Sequence, residues 1–69
     1  METRYFTFGQ DHIHKVNGEV FDRNVVVEIT AENPRERMFE IFGTKWALEY
    51  NSPEKVSLEY FPRGIIKVS

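Results

Sequence analysis

Apolar and polar residues alternate on both sides of Asn17-Gly18, across roughly residues 3–16 and 19–31. Asn-Gly suits a type I′ hairpin turn, because both of its central positions need positive φ. If Val16 and Glu19 flank that turn, opposed residues have numbers summing to 35. Phe8 then faces Val27, Phe6 faces Ile29 and Val25 faces Gln10. The other face carries Tyr5, Thr7, Asp11, Lys15, Asp22, Asn24, Glu28 and Thr30, interrupted by Ile13, Val20 and Val26. This pattern predicts one long hairpin with a half-buried face.

Strands of that length usually bend, and Gly9 is the natural place for it. The base is expected on the core, with the tip from Gln10 to Asn24 projecting as an arm. On the arm, the face continuous with the core carries His12, His14, Phe21 and Arg23.

ENPRERMFEIFG then shifts to helical spacing. Asn33 can cap, Pro34 suits the first helical position, Glu36 has capping-box spacing and Gly43 suits a left-handed residue after the last turn. Met38, Ile41 and Phe42 form the apolar face, with Phe39 on its margin.

TKWALEY alternates again and predicts a strand, with Trp46, Leu48 and Tyr50 on one face; the spacing of Trp46 and Tyr50 also permits a helix. Ser52-Pro53 starts a short helical turn, SLEYF reads as irregular or extended, Pro62-Arg63-Gly64 is a turn and IIKV a last short strand. The order β-β-α-β-(turn)-β places one helix on a mainly antiparallel sheet, an α+β fold in a single domain, 1–69.

Composition narrows this picture. A chain of 69 residues with 41% apolar and 14% aromatic content is globular, not disordered. It buries only about 60% of the surface it would expose unfolded, so homo-oligomerisation is expected to complete the core. Without cysteine it has no disulfide, thiolate metal site or cysteine nucleophile. No apolar run spans a membrane, and METRYFTFG lacks the features of a signal peptide, so a cytoplasmic location is expected. Nine Lys and Arg against eleven Asp and Glu give −2, with no adjacent like charges, which disfavours nucleic acid as a partner.

His12 and His14, two apart on a strand, would point to one side as zinc ligands do, but Arg23 opposite His12 opposes a cation. The same groups suit an anion: two imidazoles and a guanidinium for phosphate, with Phe21 as a stacking surface. The plainer alternative is a solvated hairpin whose Phe21 packs on a neighbouring subunit. Trp46 is a second stacking candidate, although an apolar strand face more often makes such a residue core. Arg63, on an exposed Pro-Arg-Gly turn, is a second anion candidate. No phosphate loop, nucleophile elbow or metalloprotease motif occurs, so neither catalysis nor a cofactor or metal is expected.

Tyr5, Phe6, Thr7, Phe8, Gly9 and His12, followed by Met38, Phe42, Gly43, Lys45, Trp46, Ala47 and Tyr50, form a Y-F-T-F-G opening and an M-x-x-x-F-G-x-K-W-A-x-x-Y segment. That pattern resembles small bacteriophage and prophage proteins and extends over roughly two-thirds of the chain. The resemblance implies a phage accessory role in the host cytoplasm, such as counter-defence, and brings no catalytic residues with it. Two function classes follow. One is sequestration of a phosphorylated nucleotide signal by His12, His14, Phe21, Arg23, Trp46 and Arg63. The other is direct binding and inhibition of a host defence protein, with nucleic-acid binding or mimicry a weaker third.

Overall fold

The Asn17-Gly18 turn forms as its residue pair dictates, with φ of 51° and 83°. In the computed structural model, which describes residues 1–68, the strands on either side of it are β2 (His14–Val16) and β3 (Glu19–Phe21). His14 faces Phe21 and Val16 faces Glu19, in the predicted register. Nearer the base, β1 (Glu2–Thr7) pairs antiparallel with β4 (Val26–Ala31), but here Phe6 faces Val27 and Thr7 faces Val26. Opposed numbers sum to 33 in this part, not 35.

The cause is that residues 8–13 form a connection two residues longer than 22–25. Two local turns take up the slack. The Gly9 carbonyl accepts from the His12 N–H at 3.1 Å, and the Asp22 side chain accepts from the Asn24 N–H at 2.9 Å. A bend at Gly9 was expected; the two-residue shift was not. Because side chains alternate with a period of two, an even shift preserves which residues face inward. Phe6, Phe8, Val25, Val27 and Ile29 are therefore all buried, although the pairings of Phe8 with Val27, Phe6 with Ile29 and Val25 with Gln10 do not occur.

Helix α1 (Pro34–Phe42) begins where its cap predicts. Asn33 Oδ1 accepts from the Glu36 N–H at 3.1 Å, Pro34 occupies the first turn, and Gly43 ends the helix at φ 66°. Met38 and Phe42 lie buried against the sheet and Ile41 packs on the margin of the core.

TKWALEY is a strand only at its end, β5 (Glu49–Tyr50), paired antiparallel with β1. Just before it, Thr7 donates to the Leu48 carbonyl at 3.0 Å while its own carbonyl accepts from Ala47 at 2.8 Å. Two residues thus oppose one, as in a bulge, and the alternation breaks. Trp46 stays partly buried, but Leu48 is 56% exposed, contrary to its expected place on the inner face.

Beyond β5, Pro53–Lys55 and Leu58–Tyr60 are short 3-10 turns, the second within a stretch expected to be irregular or extended. β6 (Ile65–Lys67) then pairs parallel with β4, giving sheet order β5-β1-β4-β6 and a separate β2-β3 hairpin. The fold is α+β, with one parallel pair in an otherwise antiparallel sheet.

Running from one sheet edge to the other, residues 51–64 cross the face opposite α1. Their cover explains why Thr7 and Val26, which point to that face, are buried. No described helix is long and apolar enough to cross a membrane.

Candidate functional site

The hairpin tip is docked on the body and does not project. Phe21 is 3% exposed, its ring 5.2 Å from Phe42 and 6.4 Å from Phe8 between centroids. His14 fills the same aromatic cluster from the opposite strand, 5.4 Å from Phe8 and 5.1 Å from Phe42. An isolated two-stranded hairpin is marginal in water, so burying Phe21 against the Phe8 and Phe42 rings of the body is what holds it in place. Phe21 consequently offers almost no ring surface on which a base could stack, although it lines an open cleft beside β6.

Both histidines have partners that fix their roles. The Gly9 N–H donates to Nδ1 of His12 at 2.8 Å, so that nitrogen carries no proton and closes the turn. A Cβ on Gly9 would stand 3.2 Å from the same imidazole, so the turn favours a glycine. His14 Nε2 lies 2.8 Å from the Lys45 carbonyl and must donate to it, since a carbonyl only accepts. The two rings therefore serve different contacts. Among the described residues, no three of His, Cys, Asp and Glu converge as metal ligands would.

Arg63 is also engaged. Its guanidinium donates to the Val20 carbonyl and to Glu19 Oε2 at 2.7 Å, with Asp22 at 4.0 Å. It ties the turn before β6 to the hairpin and is not free to receive an anion. Arg23, expected opposite His12, instead lies exposed in the 22–25 turn without a ladder partner. It forms no ion pair among the described residues.

Of the six candidates, buried Phe21 and half-buried His14 come together in the aromatic cluster, and Arg63 secures the same hairpin from outside. His12, Arg23 and Trp46 lie apart from this cluster. Among the described residues, open clefts of about 230, 260 and 300 Å³ mark the surface, at or below the lower bound of the ~300–1,000 Å³ that enclose small ligands. Of the six candidates, only Phe21 reaches any of the three.

A different cluster emerges around Trp46. Its indole meets Phe6 edge-on at 5.2 Å, which anchors it to the core, and its Nε1 donates to the Gly43 carbonyl at 3.1 Å. On its outer side Phe39, 44% exposed, packs at 5.4 Å, and the Arg35 guanidinium stands 5.9 Å from the ring. Glu49 steadies Arg35 at 4.0 Å and Arg4 at 3.7 Å.

Arg35 and Phe39 are one helical turn apart, and the Gly43 turn brings Trp46 back beside them. The helical spacing placed Phe39 on the margin of the apolar face and did not single out Arg35. The i, i+4 spacing was the available signal that they share a surface with Trp46.

No family model matches the chain, and neither a curated relative nor a solved structure matches it. The two segments that carry the phage-protein resemblance nevertheless meet in space. Phe6 touches Trp46, Phe8 touches Phe42, Tyr5 pairs with Tyr50 and Thr7 bonds to Ala47. Those residues are accounted for by packing.

Proposed function

We propose that this is a non-enzymatic phage accessory protein that acts by binding a host defence protein directly, through the surface formed by Arg35, Phe39 and Trp46. The observation that carries this reading is a half-exposed Trp-Phe-Arg cluster fixed to the core from beneath. Trp and Arg are the residue types that dominate binding energy at protein interfaces, where they act as rigid anchors. Arg35, 5.9 Å from the Trp46 ring and beside Glu49, supplies the charge of this surface, so the partner would present an apolar residue with a carboxylate within reach of Arg35.

Nucleotide sequestration is the second reading, and the exposed Arg23, which has no ion pair among the described residues, is the observation that favours it. It is weakened by the engagement of His12, His14 and Arg63 and by the burial of Phe21. Enclosure would need surfaces from more than one subunit.

The two readings separate experimentally. A host protein retained by the wild type would be purified and titrated against the wild type, Phe39→Asp and Arg35→Ala. Loss of binding by more than about 30-fold with an unchanged melting temperature supports the protein-binding reading. Affinity equal to the wild type in both variants overturns it. A thermal shift of about ten degrees or more with a cyclic nucleotide or ADP-ribose derivative, abolished by Arg23→Ala, would instead establish sequestration.

A further inference from the structure

The two ends of the sheet are not equivalent as edges. β5 has two residues, lies behind the Ala47-Leu48 irregularity and is soon followed by Pro53, features that discourage strand addition. β6 has neither a bulge nor a proline, and among the described residues no strand pairs with its outer side.

The phase of that outer side follows from two bonds to β4. The Gly64 carbonyl accepts from Val26 at 2.9 Å, and the Val68 N–H donates to Glu28 at 3.0 Å. Backbone groups on a strand alternate in direction, so Gly64, Ile66 and Val68 bond inward while Ile65 and Lys67 turn their N–H and C=O outward.

We infer that β6 pairs antiparallel with β6 of a second copy of this chain, about a two-fold axis at Ile66. This register is self-complementary in three ways. First, Ile65 of one copy and Lys67 of the other exchange both backbone bonds, and the two-fold repeats the exchange, so every outward N–H and C=O of β6 is satisfied.

Second, each Lys67 meets an isoleucine and not the other lysine, which avoids a like-charge pair on the exposed face. Third, the Ile66 side chains meet at the axis on the core side, in the closer, non-hydrogen-bonded type of pair. Ile65 is 36% exposed in the single chain, so this contact covers an apolar edge residue.

The hairpin stands off from the β6 edge. An open cleft of about 260 Å³ separates it from the β6 edge, with Val16, Phe21, Ile66 and Val68 supplying apolar walls. The assembly is one eight-stranded sheet with both α1 helices on the same face. The Trp46 surfaces lie towards its two outer ends, so the dimer is bivalent for any partner that uses them.

Sedimentation equilibrium on the full chain from about 1 to about 500 µM tests this inference. A reversible dimer of twice the 8.2 kDa chain mass is expected; a monomer throughout overturns it. Two variants at one position test the register. Ile65→Lys sets a lysine against Lys67 of the other copy at both symmetric sites, whereas Ile65→Glu sets a carboxylate there. Their dimer dissociation constants should differ at least about fivefold, Glu being the tighter. Equal constants would overturn the Ile65-Lys67 pairing, since both changes remove the same apolar side chain from the monomer.

Discussion

The β1-β4 pair and the β2-β3 pair are two parts of one alternating pattern, yet they are held by different means. β1 and β4 each have a ladder neighbour on both sides, β5 and β6 respectively, and their inner side chains are covered by α1. β2 and β3 have only each other. They depend on Phe21 in the aromatic cluster, on His14 bonded to the Lys45 carbonyl and on Arg63 bonded to Val20 and Glu19. Polar side chains that look like ligand-binding groups in the sequence can thus be the tethers of an element too small to stand alone.

The strongest way to break this arrangement is to remove the ring both regions share. Phe42 touches Phe8 from the sheet and His14 and Phe21 from the hairpin. Phe42→Ala should cost about 3–5 kcal/mol, a large part of the stability of so small a domain, read as a lower urea midpoint.

Gly18→Ala should sharpen the contrast. A left-handed residue with a side chain costs about 1–2 kcal/mol, and at φ 83° no nearby atom offers a compensating contact. Amide exchange should accelerate over residues 14–21 by more than over 26–31. A uniform acceleration would mean the hairpin and sheet open as one unit.

Arg63→Ala removes an exposed ion pair and a bond to a carbonyl, together worth about 1 kcal/mol. Its effect should again concentrate in the hairpin, and Arg63→Lys should recover only part of it because one ammonium cannot span both acceptors.

The smallest effect concerns the sheet alone. Burial, followed by the charges of Glu28 across the ladder and Glu54, raises the pKa of Tyr5 above 10.0. A raised phenol favours the protonated folded state. Its contribution is present below the unfolded value and lost as the pH rises through the folded one. Alkaline unfolding should therefore begin at higher pH in Tyr5→Phe than in the wild type, with little difference at neutrality.

Much of the architecture was legible because it rests on local rules. Asn17-Gly18 fixed the turn, Asn33 and Gly43 bounded the helix, and the period of two identified the inner face even though the base register moved by two residues. What was not legible depends on distant partners. The unequal connections 8–13 and 22–25 carry no hydrophobic signal, and the Ala47-Leu48 irregularity exists only against Thr7. The parallel placement of β6 depends on the path of residues 51–64 across the sheet.

The candidate site fared worse for the same reason. The residue types at positions 12, 14, 21 and 63 suggested phosphate binding, but three of their contacts, to Lys45, Phe42 and Val20, come from segments far away in the chain. The Arg35-Phe39-Trp46 surface was assembled by a helix and the turn after it, so its spacing was visible while its exposure was not.

Docking of the hairpin is the claim on which the reassignment of the histidines rests, and proton-proton Overhauser contacts to the His14 ring test it most directly. The account predicts cross-peaks from His14 to the Phe8 and Phe42 rings, and from Phe21 to Phe42, given centroid separations of 5.1–5.4 Å. A well-formed sheet with no cross-peaks between the hairpin rings and Phe42 would contradict it, returning His14 and Phe21 to a free arm.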